Sequence, residues 1–302
     1  MKKKLLLISA FLAMGISAPA FAVPPLQGMY PIVLSHGLFG WGSDSTGIID
    51  IIGYWGGMDS YLRSQGAIVY APTKSPTASN QTRAGELKTK TALWMAANGY
   101  TKVHFIGHSQ GGLDTRYTIA NLGMASKTST FTSLAGVHGG SPVADVVAGL
   151  PTSIKNALAT IVNAFVPLVY GKTSANALAA LSSLTKSGVA AFNAATPNAS
   201  GVKYYSYSGH MYLLDPIQHP LMALTWPICS AVGLLNGYGA DCDGLVPVSS
   251  AHWGTWKGEP SVGWFITGVD HLQISNTLYS GQTWFDVSGF FLGVAKNAKA
   301  NQ

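Results

Sequence analysis

Residues 102–112, KVHFIGHSQGG, decide the fold of this chain. An apolar strand that stops at Gly-x-Ser-x-Gly and restarts as a helix is the sequence form of a nucleophile elbow. The turn is tight, so small residues must flank the serine, as Gly107 and Gly111 do here. Such a turn lifts Ser109 to the head of a helix, where nearby amides stabilise negative charge. The pattern predicts a catalytic serine, and its alternative is an ordinary strand–helix turn.

The serine needs two partners. A serine hydroxyl is a poor nucleophile at neutral pH and requires a histidine base, which a carboxylate orients. In α/β-hydrolases the order along the chain is serine, acid, histidine. His271 follows the apolar run 264–267, which we expect to be a strand, and is the predicted base, with His252 as the alternative. Asp243, in Asp-Gly-Leu-Val-Pro, is the predicted acid, and Asp241 could substitute for it.

The negative oxygen of the reaction intermediate needs two preorganised N–H donors. One is the amide of Gln110, directly after the serine. For the second we choose the amide of Leu38, which follows the apolar run 30–34. The alternative is that His36-Gly37 is a plain glycine turn with a structural histidine.

Apolar runs and helical segments alternate through the first half of the chain. Runs at 30–34, 67–70, 102–106 and 130–134 and a later one at 202–209 read as strands, with helices at 58–64, 86–98 and 113–119 between them. This order predicts an α/β class with a mostly parallel central sheet and helices on both faces, that is, an α/β-hydrolase fold. Residues 23–302 are expected to form a single domain.

Residues 140–195 differ in character and predict a helical lid insertion. Apolar residues recur at helical spacing from Ile154 to Phe165, and Pro167 is expected to end that helix. Two interpretations stay open: helices packed on the sheet edge, or a mobile cover whose apolar face meets lipid.

The N-terminus predicts a secreted protein. A basic start, a short apolar stretch and Ala20-Phe21-Ala22 describe a signal peptide at residues 1–22, too short for a permanent membrane span. Its removal takes away three lysines and no acid, so the formal charge falls from +6 to +3. No basic cluster remains that would indicate nucleic-acid binding. In an oxidising compartment Cys229 and Cys242 are expected to form a disulfide.

Several motifs, taken together, resemble the secreted bacterial true lipases of the Pseudomonas–Burkholderia type. They span nearly the whole mature chain in the family's order: YPIVLSHGLFG at 30–40, GHSQGG at 107–112, GVKYYSYSG at 201–209, Leu-Asp-Pro at 214–216, DGLVP at 243–247 and Asp-His-Leu at 270–272. The resemblance implies hydrolysis of triacylglycerol esters at oil–water interfaces by a lidded enzyme. It also implies a type II secretion route and, in many members, a lipase-specific foldase.

The resemblance further implies a structural calcium ion, although the chemistry itself requires no cofactor. One family ligand is the aspartate of the Leu-Asp-Pro turn, here Asp215. The second is an aspartate two residues after the histidine, and here that position is Gln273. Only half of the carboxylate charge remains for a hard cation, so calcium binding is doubtful and Asp215 would instead cap a turn.

Three functions remain to be distinguished. The first is triacylglycerol hydrolysis. The second is a polyester depolymerase or short-chain esterase with the same triad, for which Trp41, Trp55, Trp253 and Trp256 would form an aromatic rim. The third is an inactive hydrolase-fold binding protein, against which a complete triad argues.

Overall fold

The computed structural model describes residues 23–44, 53–170, 175–264 and 266–302. The predicted signal peptide, residues 1–22, lies outside the described residues. None of the helices within these ranges is long and apolar enough to cross a bilayer.

A six-stranded sheet, parallel throughout, forms the centre of the molecule. In chain order its strands are β1 (Ile32–Ser35), β2 (Val69–Tyr70), β3 (Val103–His108), β4 (Thr128–Leu134), β5 (Lys203–Tyr207) and β7 (Thr255–Trp256). Their order across the sheet is β2-β1-β3-β4-β5-β7. Two further short strands, β6 (His210–Met211) and β8 (Gly268–Val269), pair antiparallel outside this sheet.

Helices follow most of the strands. They are α1 (Met58–Ser64), α2 (Asn80–Asn98), α3 (Gln110–Asn121), α4 (Pro142–Ala148), α5 (Thr152–Tyr170), α6 (Ala177–Ser182), α7 (Lys186–Ala195), α8 (Trp226–Leu235) and α9 (Val287–Ala300). The start of α2 lies six residues before the predicted one because Ser79 caps it by accepting the amide of Thr82.

The central strands bury side chains on both faces of the sheet. Because successive strand residues point to opposite faces, alternate positions enter different cores. Val33 and Phe105 pack in one core with residues of α2 and α3, and Ile32 and Ile106 pack in the other with residues of α1 and α9. Helices therefore cover both faces, and the predicted α/β architecture is confirmed.

Two local predictions are wrong. Residues 264 and 266–267 are not a strand, and Trp264 is 91% exposed; the strand before His271 is β8, since only Gly268 and Val269 align with a partner, β6. Pro167 does not end α5, which continues to Tyr170. A proline removes one N–H donor from a helix, and here the helix continues through it.

Candidate active site

Ser109 stands at the sharp turn between β3 and α3. Its backbone has φ 55° and ψ −128°, a conformation that non-glycine residues rarely adopt. The neighbouring glycines make this turn sterically feasible. A Cβ on Gly107 would lie 2.7 Å from the carbonyl oxygen of Gly111, and one on Gly111 would collide with the carbonyl oxygen of Ser35. The turn thus has the geometry of a nucleophile elbow.

The structure brings Ser109, His271 and Asp243 into one hydrogen-bonded row. The Ser109 hydroxyl is 2.8 Å from His271 Nε2, and His271 Nδ1 is 2.7 Å from Asp243 Oδ2. The other carboxylate oxygen, Oδ1, accepts the amides of Leu245 and Val246 at 3.0 and 2.7 Å. All three members of the row are buried. With Nδ1–H donating to Asp243, His271 Nε2 is free to accept the serine proton.

The alternative partners lie elsewhere. His252 is exposed and packs against Trp256, with the ring centroids 4.2 Å apart and the ring planes tilted by 37°. The Asp241 side chain is 73% exposed and lies 3.6 Å from His210. Neither hydrogen-bonds to the serine or to His271.

Leu38 and Gln110 border Ser109. Leu38 lines the same cavity as Ser109, and its amide makes no backbone hydrogen bond within the described residues. Gln110 is the first residue of α3, where an amide has no acceptor inside the helix. Its side chain is fixed by donating to the Ala78 carbonyl and to Asn80. Both amides are therefore available to a bound oxygen.

The peptide between Gly37 and Leu38 is held by its carbonyl. The Lys74 amide donates to His36 Nε2, so the ring proton sits on Nδ1, which donates to Gly37 O at 2.9 Å. Arg83 donates to the same oxygen at 2.9 Å. Because C=O and N–H of one trans peptide point in opposite directions, holding the carbonyl aims the Leu38 N–H.

A buried ionic cluster lies behind this loop. Lys74 Nζ and Arg83 Nε both donate to Asp114 Oδ2, at 2.7 and 2.8 Å, and Lys74 also donates to the His36 carbonyl. Burial lowers the pKa of Lys74 to about 7, although the Asp114 carboxylate opposes the shift. Since α3 carries Asp114, the cluster joins the helix that follows Ser109 to the loop that presents Leu38.

Tyr54 and His108 were not predicted as site residues. Gly37 N–H donates to the Tyr54 oxygen at 3.0 Å, and the Tyr54 hydroxyl lies 2.6 Å from His108 Nδ1. His108 Nε2 in turn lies 2.8 Å from the His271 carbonyl oxygen. Burial lowers the pKa of His108 well below its usual range, and the neighbouring His271 adds to the shift. A neutral His108 thus accepts from Tyr54 and donates to His271.

Ser109 and His271 open into an apolar cavity of about 720 Å³. Helices α4, α5 and α6 form much of its wall, with Leu158, Ala159 and Val162 contributed by α5. The predicted apolar stripe of α5 is only partly turned inward, since Ile154 and Ile161 are 47% and 67% exposed. The reason is that α5 forms a roof, with the cavity on one side and solvent on the other.

The aromatic rim suggested by the sequence is not formed. Trp41 and Trp55 are buried, at 5% and 3% exposure. Trp253 packs against Arg116, whose guanidinium carbon lies 3.3 Å from the centroid of the Trp253 ring. Of these four tryptophans, only Trp256 is largely exposed. Trp41 and Trp55 instead pack in the core together with residues of β1 and α1.

The predicted disulfide between Cys229 and Cys242 is not formed in the structure, where both are free, buried cysteines. A hydrogen bond to Cys242 raises the pKa of the Cys229 thiol, with burial adding to the shift, so the two buried side chains are neighbours.

The residues at the expected calcium site do not fit the ion. Within the described ranges no group of three or more His, Cys, Asp or Glu side chains is placed to hold a metal. Asp215 Oδ1 accepts the amides of Ile217 and Gln218, at 2.9 and 3.2 Å, and so caps a turn. Gln273 Nε2 donates to the Gln218 carbonyl at 2.6 Å. Calcium needs six to eight oxygen ligands, whereas here Asp215 Oδ1 and the Gln218 carbonyl oxygen already accept N–H donors.

Comparison with known proteins agrees with this site. The chain is 32% identical over 270 residues to a triacylglycerol lipase of Vibrio cholerae, covering 82% of either chain, and 33% identical over 225 residues to one of Pseudomonas fragi, covering 64% of this chain and 73% of that one. No protein-family model matches the sequence. Staphylococcus hyicus lipase shares the fold, with a TM-score of 0.68 at 19% identity over 90% of this chain and 95% of that one.

The fold and the arrangement around Ser109 define the class: a serine hydrolase of the α/β-hydrolase fold. Within that class, the chain belongs to the triacylglycerol lipase family, as its identity to the Vibrio enzyme shows. The predicted resemblance to bacterial true lipases is confirmed.

Proposed function

We propose that Ser109, His271 and Asp243 hydrolyse carboxylic esters through an acyl-enzyme. Ser109 Oγ bonds to the ester carbonyl carbon while its proton passes to His271 Nε2, and Asp243 stabilises the imidazolium. The amides of Leu38 and Gln110 hold the oxyanion. The ester C–O bond then breaks, and Nε2 returns the proton to the departing alcohol. A water molecule repeats the sequence at the acyl carbon and frees the acid. The hydrogen-bonded row of the three side chains carries this proposal.

We propose that the substrate is a triacylglycerol presented at an oil–water interface. The apolar cavity beside Ser109 suits acyl chains, since burying apolar surface gains about 25 cal/mol per Å². Helix α5 exposes Ile154 and Ile161 on its solvent side, away from that cavity, where they would meet lipid. The names of the Vibrio and Pseudomonas relatives agree with this substrate class.

Three substrates distinguish this function from its rivals: emulsified triolein, soluble p-nitrophenyl butyrate and polyester film. We expect triolein hydrolysis, and Ile161→Gln should lower its rate several-fold while sparing the soluble ester. Leu93→Gln on α2 is the matched control, since Leu93 is also 67% exposed. Turnover of the soluble ester or the film without triolein would instead support the esterase or depolymerase. No turnover of any of the three would support the binding protein.

We propose that the protein is secreted after cleavage behind Ala22 and that Cys229 and Cys242 then oxidise. The contact between the two buried thiols supports the disulfide. Intact mass of the exported protein locates the cleavage, and thiol titration after denaturation should find no free thiol. Two free thiols would refute the disulfide. Foldase dependence rests on the family resemblance and is measured by refolding the denatured chain with and without a foldase.

A further inference from the structure

The loop that carries His271 is tied to the turn at 215–219. This loop, residues 270–275, follows β8 directly. We propose that Gln273 and His219 are positioning residues that fasten this loop in place of a metal ion, so that the enzyme works without calcium. The inference rests on the catalytic role proposed for His271.

Gln273 bridges the two segments through both ends of its side-chain amide. Its Oε1 accepts the amide of Asp270 at 3.0 Å, and its Nε2 donates to the Gln218 carbonyl at 2.6 Å. The side chain is 1% exposed, so neither bond competes with bulk water. Gln273 therefore joins the residue that precedes His271 to the opposite turn.

His219 forms a second, parallel link. Its Nδ1 lies 3.2 Å from Asp270 Oδ2, and its Nε2 lies 3.1 Å from Thr267 Oγ1. The remaining oxygen of Asp270, Oδ1, accepts the amides of Leu272 and Gln273 at 2.9 and 2.8 Å. Two residues flank His271: Asp270, which is held by His219, and Leu272, whose amide is held by the Asp270 carboxylate.

These bonds occupy the groups that a cation would need. A calcium ion attracts carboxylate and carbonyl oxygens, and the oxygens of Asp215, Gln218 and Asp270 already accept hydrogen bonds. The amide of Gln273 also places N–H donors where a cation requires lone pairs. A neutral amide and an imidazole therefore perform the bridging that the resemblance assigns to the ion.

Thermal unfolding in chelator and in millimolar calcium tests the inference without relying on catalysis. We expect equal midpoints for the wild type, and the same result for Ser109→Ala, which makes the readout independent of the proposed function. A midpoint that rises with calcium in both proteins would overturn the proposal.

The isosteric variant Gln273→Glu tests the positioning role. It keeps the acceptor for Asp270 but sets a carboxylate oxygen against the Gln218 carbonyl. We expect, in chelator, a midpoint lower by about 4 °C and a kcat lower by roughly tenfold at unchanged KM, because a buried acceptor loses its donor. Gln81→Leu, at an exposed position of α2, should change neither. Wild-type kcat and midpoint in Gln273→Glu would contradict the positioning role.

Discussion

Tyr54 connects two halves of the active site through one hydroxyl group. It accepts the amide of Gly37, beside the proposed oxyanion donor Leu38, and contacts His108, which holds the His271 carbonyl. The position of His271 and that of the Leu38 amide are therefore coupled. A change at Tyr54 should disturb catalysis more than substrate binding.

Tyr54→Phe is expected to lower kcat about tenfold with little change in KM, because one buried hydrogen bond is worth on the order of 1 kcal/mol and two partners lose theirs. Steady-state kinetics on p-nitrophenyl butyrate measure the effect. Tyr61→Phe, on α1, is the control. A Tyr54→Phe enzyme with kcat within twofold of the wild type would contradict the coupling.

The three residues of the row can be predicted from the sequence, but the residues that support them cannot. Ser109, Asp243 and His271 stand in motifs whose order and chemistry are visible in one dimension. Tyr54 has no such motif, and its role arises only when the chain brings Gly37 and His108 to its hydroxyl. From the sequence alone, Gln273 indicates only a lost carboxylate, and the bridge that its side-chain amide forms is visible only in the structure.

At the scale of elements, the elbow between β3 and α3 depends on glycines that differ in their surroundings. Gly111 packs against the carbonyls of Ser35 and His36, whereas a Cβ on Gly85, in α2, would meet no atom within 4 Å. A side chain is therefore excluded at Gly111, whereas there is room for one at Gly85.

Gly111→Ala should destabilise the protein by about 1–3 kcal/mol and reduce ester hydrolysis, since the added methyl group pushes on the loop before Leu38. Gly85→Ala should instead stabilise it by about 0.5–1 kcal/mol, as alanine favours a helix over glycine. Urea denaturation with a parallel activity assay measures both. Equal effects of the two substitutions would disprove the packing argument.

Strands that stand out as apolar runs are predictable from the sequence, even the two-residue β2. Each of the five runs predicted between residues 30 and 209 overlaps a strand of the structure, β1 to β5 in chain order. The predicted strand at 264–267 failed because an apolar run forms a strand only where it finds a partner. Helix α5 continues past Pro167 because the loss of one N–H donor does not by itself end a helix.

At the scale of the whole molecule, the burial of four histidines determines how folding stability changes at acid pH. Burial lowers the pKa of His36, His108 and His138 well below the usual range, and that of His104 to about 4. In the unfolded chain these groups titrate near 6.5. The unfolded state therefore binds more protons below that pH, so the stability they contribute is complete above pH 6.5 and is lost as the pH falls toward 4.

His104→Gln should reduce the stability that the protein loses as the pH falls. Each histidine contributes up to about 1.4 kcal/mol per pH unit, so the variant should lose about 2 kcal/mol less than the wild type between pH 6.5 and 4.5. Urea unfolding at a series of pH values measures the difference. Parallel profiles for the two proteins would show that His104 is not held neutral by burial.

In the proposed mechanism, the fold gathers Ser109, His271 and Asp243 from distant parts of the chain and so makes Ser109 the nucleophile that forms the acyl-enzyme. Reaction with a fluorophosphonate, followed by peptide mass mapping and ester assays, tests it most directly. We expect one adduct, on Ser109, with hydrolysis lost in step with labelling, and an unlabelled, inactive Ser109→Ala that unfolds at the wild-type temperature. An adduct on another serine, or a Ser109→Ala variant that retains activity, would contradict it.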